Sequence, residues 1–479
     1  MDSEKHIPLV ADLDGTLLKS DALWEGLIRF ILPRPWNIFI CLIWLCTGGK
    51  AGLKERLAPY SLQGMEFWPL DETVLGRLRL AQEEGRPIYL ATASHKIVAE
   101  ALAARLGLFT GILATENGMN LRGEAKASLL REKFGQAAYD YIGNGREDLP
   151  IWRDCRAIIL AGGDPSVKSR AAAMAAETGK EIISLERKPA RRSGYAHALR
   201  CRQWLKNCLV GVPLLLAHLF TVEAALNVFI AFMAFCACAS SIYIFNDLSD
   251  LDSDRQHPLK RLRPFAAGDL PLIRGPLLFC LSLGTSLVVA ALLPHLFVAA
   301  LAVYFILNLA YSTLVKKLLF LDVLLLTGMY TLRVIAGSFA LNLPLSNWLL
   351  AFCCFIFMGL ALIKRFTELD LQQAGQEKRL PRRAYIGQDR RLLESMAVCC
   401  CICAVLVLSL YIDSLNSLSQ YSTPQLLWLL CPLGLYWLGR LLLLANRGDI
   451  LDDPLDFAIK DKASLLCLLS GILILLLAI

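Results

Sequence analysis

Charge is scarce in this chain. Asp, Glu, Lys and Arg make up 19% of its 479 residues, against about a quarter in an ordinary soluble domain. Hydrophobic residues make up 56% and the mean hydropathy is +0.50, which excludes a wholly soluble globular protein. Histidine is rare, with six in the chain, and no pair of CxxC knuckles accompanies His at zinc spacing. The sixteen Cys fall largely in apolar runs, such as Cys353-Cys354 and Cys399-Cys400-Cys401-Ile402-Cys403. They read as small reduced residues of membrane helices, with disulfides or metal binding as the lesser alternative. A signal-peptide core is missing as well: Met1 to His6 is polar and leads into a short strand pattern, so the first domain is expected to stay in the cytoplasm. The net charge of +7 raises nucleic acid as a partner. The bases lie mostly in loops beside apolar spans, so an anionic membrane face or phosphorylated ligands fit better than nucleic acid.

The apolar excess is uneven. Residues 1 to about 200 read as a mixed soluble domain, and the rest alternates apolar runs with charged loops. Nine spans can be marked, each near the roughly 20 residues that cross the hydrocarbon: 204–221, 224–245, 275–293, 296–313, 319–340, 347–363, 395–413, 425–444 and 463–479. Loops after the even-numbered spans hold the bases: Arg255, Lys260, Arg261 and Arg263; Lys316 and Lys317; Lys364 through Arg391; Arg447 to Lys462. The opposite loops have almost none, so the basic loops are placed in the cytoplasm and the C-terminus outside. Tyr311, Asp322, Arg333 and Lys364 sit inside or at the ends of spans, where an ionisable side chain is costly and usually faces a polar cavity. The plain alternative is a buried ion pair such as Asp322 with Arg333.

The most informative stretch follows the second span. Asn246-Asp247-x-x-Asp250-x-x-x-Asp254 precedes a basic cluster. Asp250 and Asp254 are one helical turn apart, so both carboxylates share a helix face. Such an array suits Mg²⁺, which takes a few carboxylates and completes its shell with phosphate oxygens. A solvated acidic loop is the plain alternative, made less attractive by the position at a membrane mouth.

These residues resemble the first aspartate motif of the UbiA superfamily of intramembrane prenyltransferases. The extension His257-Pro258-x-Lys260-Arg261-x-Arg263-Pro264-x-x-x-Gly268 is similar to the branch that transfers phosphoribose to a polyprenyl phosphate. So are Tyr311-Ser312-x-x-x-Lys316-x-x-x-x-x-Asp322, Arg333-x-x-Ala336-Gly337, Lys364-Arg365-x-x-Glu368, Gln203-Trp204-x-Lys206-Asn207 and the segment from Arg447 through Asp453-Pro454 to Asp461. The resemblance implies an all-α membrane domain of nine helices over 204–479. It implies attack by a polyprenyl phosphate on phosphoribosyl pyrophosphate, with pyrophosphate leaving. Asn246, Asp247, Asp250 and Asp254 would hold Mg²⁺. Lys260, Arg261, Arg263, Lys316, Lys364 and Arg365 would neutralise phosphates, with Tyr311, Asp322, Arg333 and Glu368 also lining the substrate site. Members that prenylate aromatic rings carry a second aspartate-rich motif, which this chain lacks. Ring prenylation, in which the lipid is the pyrophosphate donor, stays as an alternative, as does a membrane scaffold.

The first domain carries its own signature. Ile7-Pro8-Leu9-Val10-Ala11 leads into Asp12-Leu13-Asp14-Gly15-Thr16, an apolar strand ending in DxD. That places two carboxylates at the strand's C-terminal tip, where ligands bind in open α/β sheets. The pattern resembles the haloacid dehalogenase superfamily, which implies a Rossmann-like α/β domain over 1–185 with a small helical cap near 18–80. By that resemblance Asp12 is the nucleophile, Asp14 the general acid and base, Thr92 a phosphate-binding hydroxyl and Lys126 a cation on the transferring phosphoryl group. Asp12, Asp14, Asn144 and Asp148 would hold a second Mg²⁺. The family usually has aspartate where Asn144 stands, and an amide is an uncharged, weaker ligand. An inactive, regulatory domain is therefore the alternative. In the cap, Phe30 to Cys46 is too short to span comfortably and either lies in the membrane interface or forms a buried helical core. Residues 186–203, with Arg187, Lys188, Arg191, Arg192, Arg200 and Arg202, read as a basic linker and a helix leading into the membrane. Together the motifs imply a bifunctional enzyme of a bacterial inner membrane. It would transfer phosphoribose and then remove the 5-phosphate, yielding a polyprenyl-phosphoryl ribose that could serve as an arabinose-donor precursor for envelope glycans.

Overall fold

Three consecutive apolar residues after Pro8, all fully buried, start the fold. A computed structural model describes residues 6–116, 121–185, 194–373, 385–414, 420–450 and 453–479. Strand β1 (Leu9–Ala11) is followed by helices α1 (Ala22–Ile31), α2 (Asn37–Leu62) and α3 (Glu72–Glu83). Next come β2 (Ile88–His95), α4 (Lys96–Leu106), β3 (Gly111–Thr115), α5 (Glu124–Phe134) and β4 (Asp140–Gly143). The series closes with α6 (Leu149–Asp154), β5 (Ala157–Ala161), α7 (Pro165–Thr178) and β6 (Glu181–Leu185), then the short α8 (Gly194–Ala198). The six strands form one parallel sheet in the order β3-β2-β1-β4-β5-β6. Parallel strands are covered on both faces, which is why they read as continuous apolar runs. Leu9 and Ala11 pack with Val74, Leu78, Val98 and Leu102 on one face. Val10 packs with Ala127, Leu130, Trp152 and Val167 on the other. Strand order reverses at β1, so the crevice beyond the C-terminal ends of β1, β2 and β4 is where a doubly wound sheet binds ligand.

The insert between β1 and β2 is built on α1 and α2. Asp21 caps α1 by accepting from the amides of Leu23 and Trp24. In α2, Gly49 adopts φ +60°, a left-handed conformation that favours glycine and breaks the helix. The first half of α2 is not a buried core. Trp36, Ile38, Phe39, Leu42 and Ile43 are all exposed, which overturns that alternative.

The remaining helices, apolar except for α11 and the short Pro454–Lys460, are α9 (Val212–Leu216), α10 (Val222–Ser249), α11 (Leu251–Gln256), α12 (Arg274–Ala290), α13 (His295–Thr313), α14 (Leu321–Ala340), α15 (Asn347–Gln373) and α16 (Arg390–Ile412), then Leu430–Asn446, Pro454–Lys460 and Lys462–Ala478. Six stretches among the described residues are long and apolar enough to cross a bilayer, or seven if the pair Pro454–Lys460 and Lys462–Ala478, bent by 84°, counts as one span. Several apolar helices make this a multi-pass membrane protein. The expected count of nine is not reproduced. The expected span 204–221 is a 3₁₀ helix (Cys201–Gly211) followed by the five-residue α9, with Pro213 in its first turn and His218 at φ +56°. The expected span 275–293 is the 17-residue α12. All sixteen Cys are unpaired. Arg187, Lys188, Arg191 and Arg192 of the expected linker, and the loop stretches 374–384 and 415–419, lie outside the described residues.

Packing divides the chain into two compact units. One comprises residues 1–199 with 243–279; the other comprises 200–242 with 280–479. The loop carrying the aspartate motif thus belongs to the same unit as the parallel sheet.

Candidate active sites

At the tip of β1, Asp12 accepts from Lys126 Nζ (2.7 Å) and from Thr16 Oγ1 (3.3 Å). Lys126, supplied by α5, also donates to Tyr141 (3.2 Å), whose hydroxyl donates to Asp148 (2.9 Å). Burial disfavours the Lys126 charge, but Asp12 and Asp148 outweigh it and raise the ammonium pKa above its ordinary value. Asp148 also accepts from the amides of Asn144 and Gly145, both at 2.9 Å. Strand β2 runs on to His95, so Thr92 and Ser94 project from one face, two residues apart. The Thr92 hydroxyl accepts from the Ser94 amide (2.9 Å), and Ser94 Oγ donates to Asp14 (2.6 Å). The other Asp14 oxygen accepts from the amide of Ala22, the first residue of α1 (2.8 Å). Burial, and then the charge of Asp21, push the Asp14 carboxyl up to about 7. An acid so poised can donate and accept a proton near neutrality. All the expected members of this site are therefore brought together. Sequence reading missed Ser94, and it missed Lys54 of α2, which donates to Ala93 O (2.6 Å). Lys54 and Ser94 line a cleft of about 210 Å³ with Ala22, Ser61 and His95.

Asn144 sits at the tip of β4. Its Nδ2 donates to Gly15 O (2.9 Å), leaving Oδ1 to accept from Thr16 (3.2 Å). Asp12 Oδ2 accepts from the same hydroxyl, so a carboxylate oxygen and an amide oxygen converge there. Among the described residues no three acidic, Cys or His side chains form a closed metal cage. Mg²⁺ does not need one, because it usually keeps waters and substrate phosphates alongside one or two carboxylates. Asp12 and Asn144 fit such an ion.

The aspartate motif is folded more tightly than its sequence suggests. Helix α10 ends at Ser249, the chain breaks at Asp250, and α11 begins at Leu251. The bond from the Asp254 amide to Asp250 O (2.8 Å) keeps the one-turn spacing. Asp247 and Asp254 are buried, and both accept from Arg263 Nη1, at 3.2 and 2.6 Å. Arg263, expected to meet substrate phosphate, here lies against the carboxylates. Asn246, Asp250 and Lys260 are half-buried and Arg261 is exposed. His257 Nδ1 accepts from the amides of Leu259 and Lys260 and so caps the turn that carries the bases. Burial pushes the Asp254 carboxyl up to about 6; Arg263 opposes this, while Asp247 and Asp250 add to it. Asp247 and Asp254 share the one Arg263 guanidinium, and the charge of Asp250 acts on Asp254, a donor set of the kind that suits a divalent cation.

Two residues of this loop to which sequence reading assigned no role at a site, Arg255 and Asp252, tie it to α1. Arg255 donates both terminal nitrogens to Glu25, at 3.0 and 2.6 Å, and Glu25 is fully buried. Glu25 also accepts from Ser20 (2.6 Å) and Arg29 (2.9 Å). Arg29 in turn holds Asp252 with Nε (3.0 Å) and Nη2 (2.5 Å). Gly64, at φ +66°, lies so close that an added Cβ would meet Asp252 Oδ1 at 2.7 Å.

In the second unit a further cluster forms. Arg365 is buried and contacts Asp322 (2.7 Å), Glu368 (2.8 Å) and the Tyr311 hydroxyl (2.8 Å). The Asp322 contact is an ion pair whose atoms are not aligned as a hydrogen bond. Tyr385 donates to Asp322 (2.7 Å) and is a further residue that sequence reading missed. Arg333 is held by Asn207 (3.0 Å) and Tyr304 (2.7 Å). Lys364 and Lys206 both meet Asp453, at 2.8 and 3.2 Å, which joins three separate sequence blocks. Lys316 lies half-buried in a short 3₁₀ turn. Gly337 is where α14 touches the 3₁₀ helix at Cys201–Gly211: an added Cβ would fall 2.1 Å from Val210 O.

Residues 207–455 match the UbiA prenyltransferase family, and residues 9–153 match haloacid dehalogenase-like hydrolases. An uncharacterized protein, y4nM, of Sinorhizobium fredii is 33% identical over 466 residues, covering 96% of this chain and 89% of that protein. Nodulation protein NoeC of Azorhizobium caulinodans is 34% identical over 276 residues, 57% of this chain and 90% of its own length. Decaprenyl-phosphate phosphoribosyltransferase of Mycolicibacterium smegmatis is 31% identical over 277 residues, 56% of this chain and 87% of its own length.

Proposed function

Because the chain belongs to the UbiA prenyltransferase family, with a haloacid dehalogenase-like hydrolase domain ahead of its membrane helices, we propose that it performs two consecutive steps on one lipid. The first is transfer of 5-phosphoribose from phosphoribosyl pyrophosphate to a polyprenyl phosphate. The second is removal of the 5-phosphate, leaving polyprenyl-phosphoryl ribose. The observation that carries this reading is α1. At its start the Ala22 amide holds Asp14, and one turn on Glu25 grips Arg255 beside Asp254. The two motif sets are thereby built around a single helix.

In the transfer step an oxygen of the polyprenyl phosphate forms the bond to the anomeric carbon. The bond from that carbon to pyrophosphate breaks, and pyrophosphate leaves with the electron pair. The nucleophile is already an anion, so no strong general base is required. Asn246, Asp247, Asp250 and Asp254 would hold Mg²⁺, which supplies positive charge to the leaving group. Lys260 and Arg261, and in the second unit Lys316, Lys364 and Arg365, would carry phosphate charge, in the bidentate manner open to arginine. Tyr311, Asp322, Arg333 and Glu368 would line the substrate site, and Tyr311, Asp322 and Glu368 hold Arg365 in place. The basic loops support putting this chemistry on the cytoplasmic face of a bacterial inner membrane, where a water-soluble sugar donor is at hand.

In the second step Asp12 attacks the phosphorus of the 5-phosphate while Asp14 gives a proton to the departing sugar oxygen. Lys126 and the Thr92 hydroxyl steady the phosphoryl oxygens. Water then attacks the aspartyl-phosphate, Asp14 takes its proton, and inorganic phosphate leaves. Asp12 and Asn144 would hold Mg²⁺ here, with Asp148 acting through Lys126 and the β4 turn. The transfer step is tested with purified protein, Mg²⁺, polyprenyl phosphate and radiolabelled phosphoribosyl pyrophosphate. Label should enter the lipid fraction, and Asp250→Ala should stop it. Consumption of a prenyl diphosphate with an aromatic acceptor instead would establish ring prenylation and reject this reading.

A further inference from the structure

We propose that the first half of α2 is a membrane-inserting element that seats the cap of the hydrolase domain in the bilayer surface. Between Arg34 and Lys50, both exposed, there is no charged residue. Within that stretch Ile38, Phe39, Ile40, Leu42 and Ile43 are exposed, Phe39 by 66% and Ile43 by 59%. Successive helical positions turn by about 100°, so these five residues spread over roughly 200° of the helix circumference. A surface helix of a soluble domain shows water a polar face, and this one has none. Only a narrow seam is covered: Cys41 packs on Phe30 of α1, Trp44 stacks on the same ring at 5.0 Å, and Asn37 donates to Phe30 O (2.8 Å). The hydroxyl of Thr47 is satisfied internally by Ile43 O (2.9 Å), as a polar group in hydrocarbon must be.

The occupant of this surface is lipid, because it continues a membrane-crossing helix. On its other side α1 buries Ile28 in one cluster with Ile244 and Leu248. Both belong to Val222–Ser249, a candidate span. Helix α1 thus packs against the apolar half of α2 through Phe30 and shares a cluster through Ile28 with the end of a candidate span. From Asn37 to Gly48 it is roughly 18 Å long, against about 30 Å of hydrocarbon, so it dips into one leaflet and does not cross. Gly49, at φ +60°, turns the chain back, and Arg34 and Lys50 at its two ends are placed for anionic headgroups. Resting on the second step proposed above, the same insertion would hold the cap over a phosphate whose lipid tail never leaves the membrane.

The test does not depend on activity. A photoreactive amino acid is placed at Phe39 or at Leu42 of the full chain in native membrane vesicles. A control goes at Leu80, an exposed apolar residue of α3. All three positions are exposed, so the substitutions leave the core alone. Mass spectrometry of the irradiated protein should find phospholipid adducts at 39 and 42 and none at 80. Adducts to a second copy or to another protein at 39 and 42, or lipid labelling no greater than at 80, would overturn the proposal.

Discussion

Lys126 lies between Asp12 and Asp148, bonded to the first and attracted by the second. In the proposed hydrolysis, removing it would strip the transferring phosphoryl group of a buried charge partner. Lys126→Met should lower phosphate release by about 100- to 1,000-fold, the usual loss when one preorganised donor is taken away. The check is a phosphate-release assay on a phosphoribosyl lipid, with transfer of label from the sugar donor measured in parallel and expected to be unchanged. Asn144 makes the opposite prediction. Its amide oxygen converges with Asp12 on Thr16, so a carboxylate there would add charge without changing shape. Asn144→Asp should lower the Mg²⁺ concentration that gives half-maximal phosphate release. An unchanged Mg²⁺ dependence would mean that position 144 does not face the ion.

At the scale of the element, α1 is the part of the molecule that no sequence pattern disclosed. The strand-DxD turn, Thr92, Lys126 and the Asp250–Asp254 spacing were legible because each depends on neighbours within a few residues or on a recurrent motif. Glu25 and Arg255 stand 230 positions apart, and no local pattern in the sequence pairs them. Only the fold brings them together out of water. The expected span 204–221 failed for a related reason. Hydropathy reports composition, whereas Pro213 and the turn at His218 decide backbone geometry. Glu25→Gln would leave Arg255 buried without a full counter-charge, and breaking such a pair costs about 3–5 kcal/mol. The thermal unfolding transition of the detergent-solubilised protein should fall accordingly. Burial alone would raise the Glu25 carboxyl, but Arg255 and Arg29 hold it below its ordinary value. Its contribution is therefore fully present above the ordinary carboxylate pKa of about 4.3 and is lost as pH falls through the lowered folded value. Scans from pH 7 towards pH 3 should show that component in the native protein and not in Glu25→Gln.

At the scale of the whole molecule, a haloacid dehalogenase-like hydrolase domain and a UbiA-type transferase domain share one chain, and the aspartate loop of the second lies in the same packed unit as the first. A fusion is useful when the product of one site is the substrate of the other. A phosphoribosyl lipid carries the kind of phosphate monoester that an aspartate nucleophile removes. The central claim is thus an order of reactions, and one measurement addresses it. Purified protein and its Asp12→Asn variant are each incubated with Mg²⁺, polyprenyl phosphate and phosphoribosyl pyrophosphate, and the lipid products are weighed by mass spectrometry. The native protein should yield polyprenyl-phosphoryl ribose, and Asp12→Asn should accumulate the same lipid heavier by one phosphate. Equal amounts of the dephosphorylated lipid from both proteins would contradict the account.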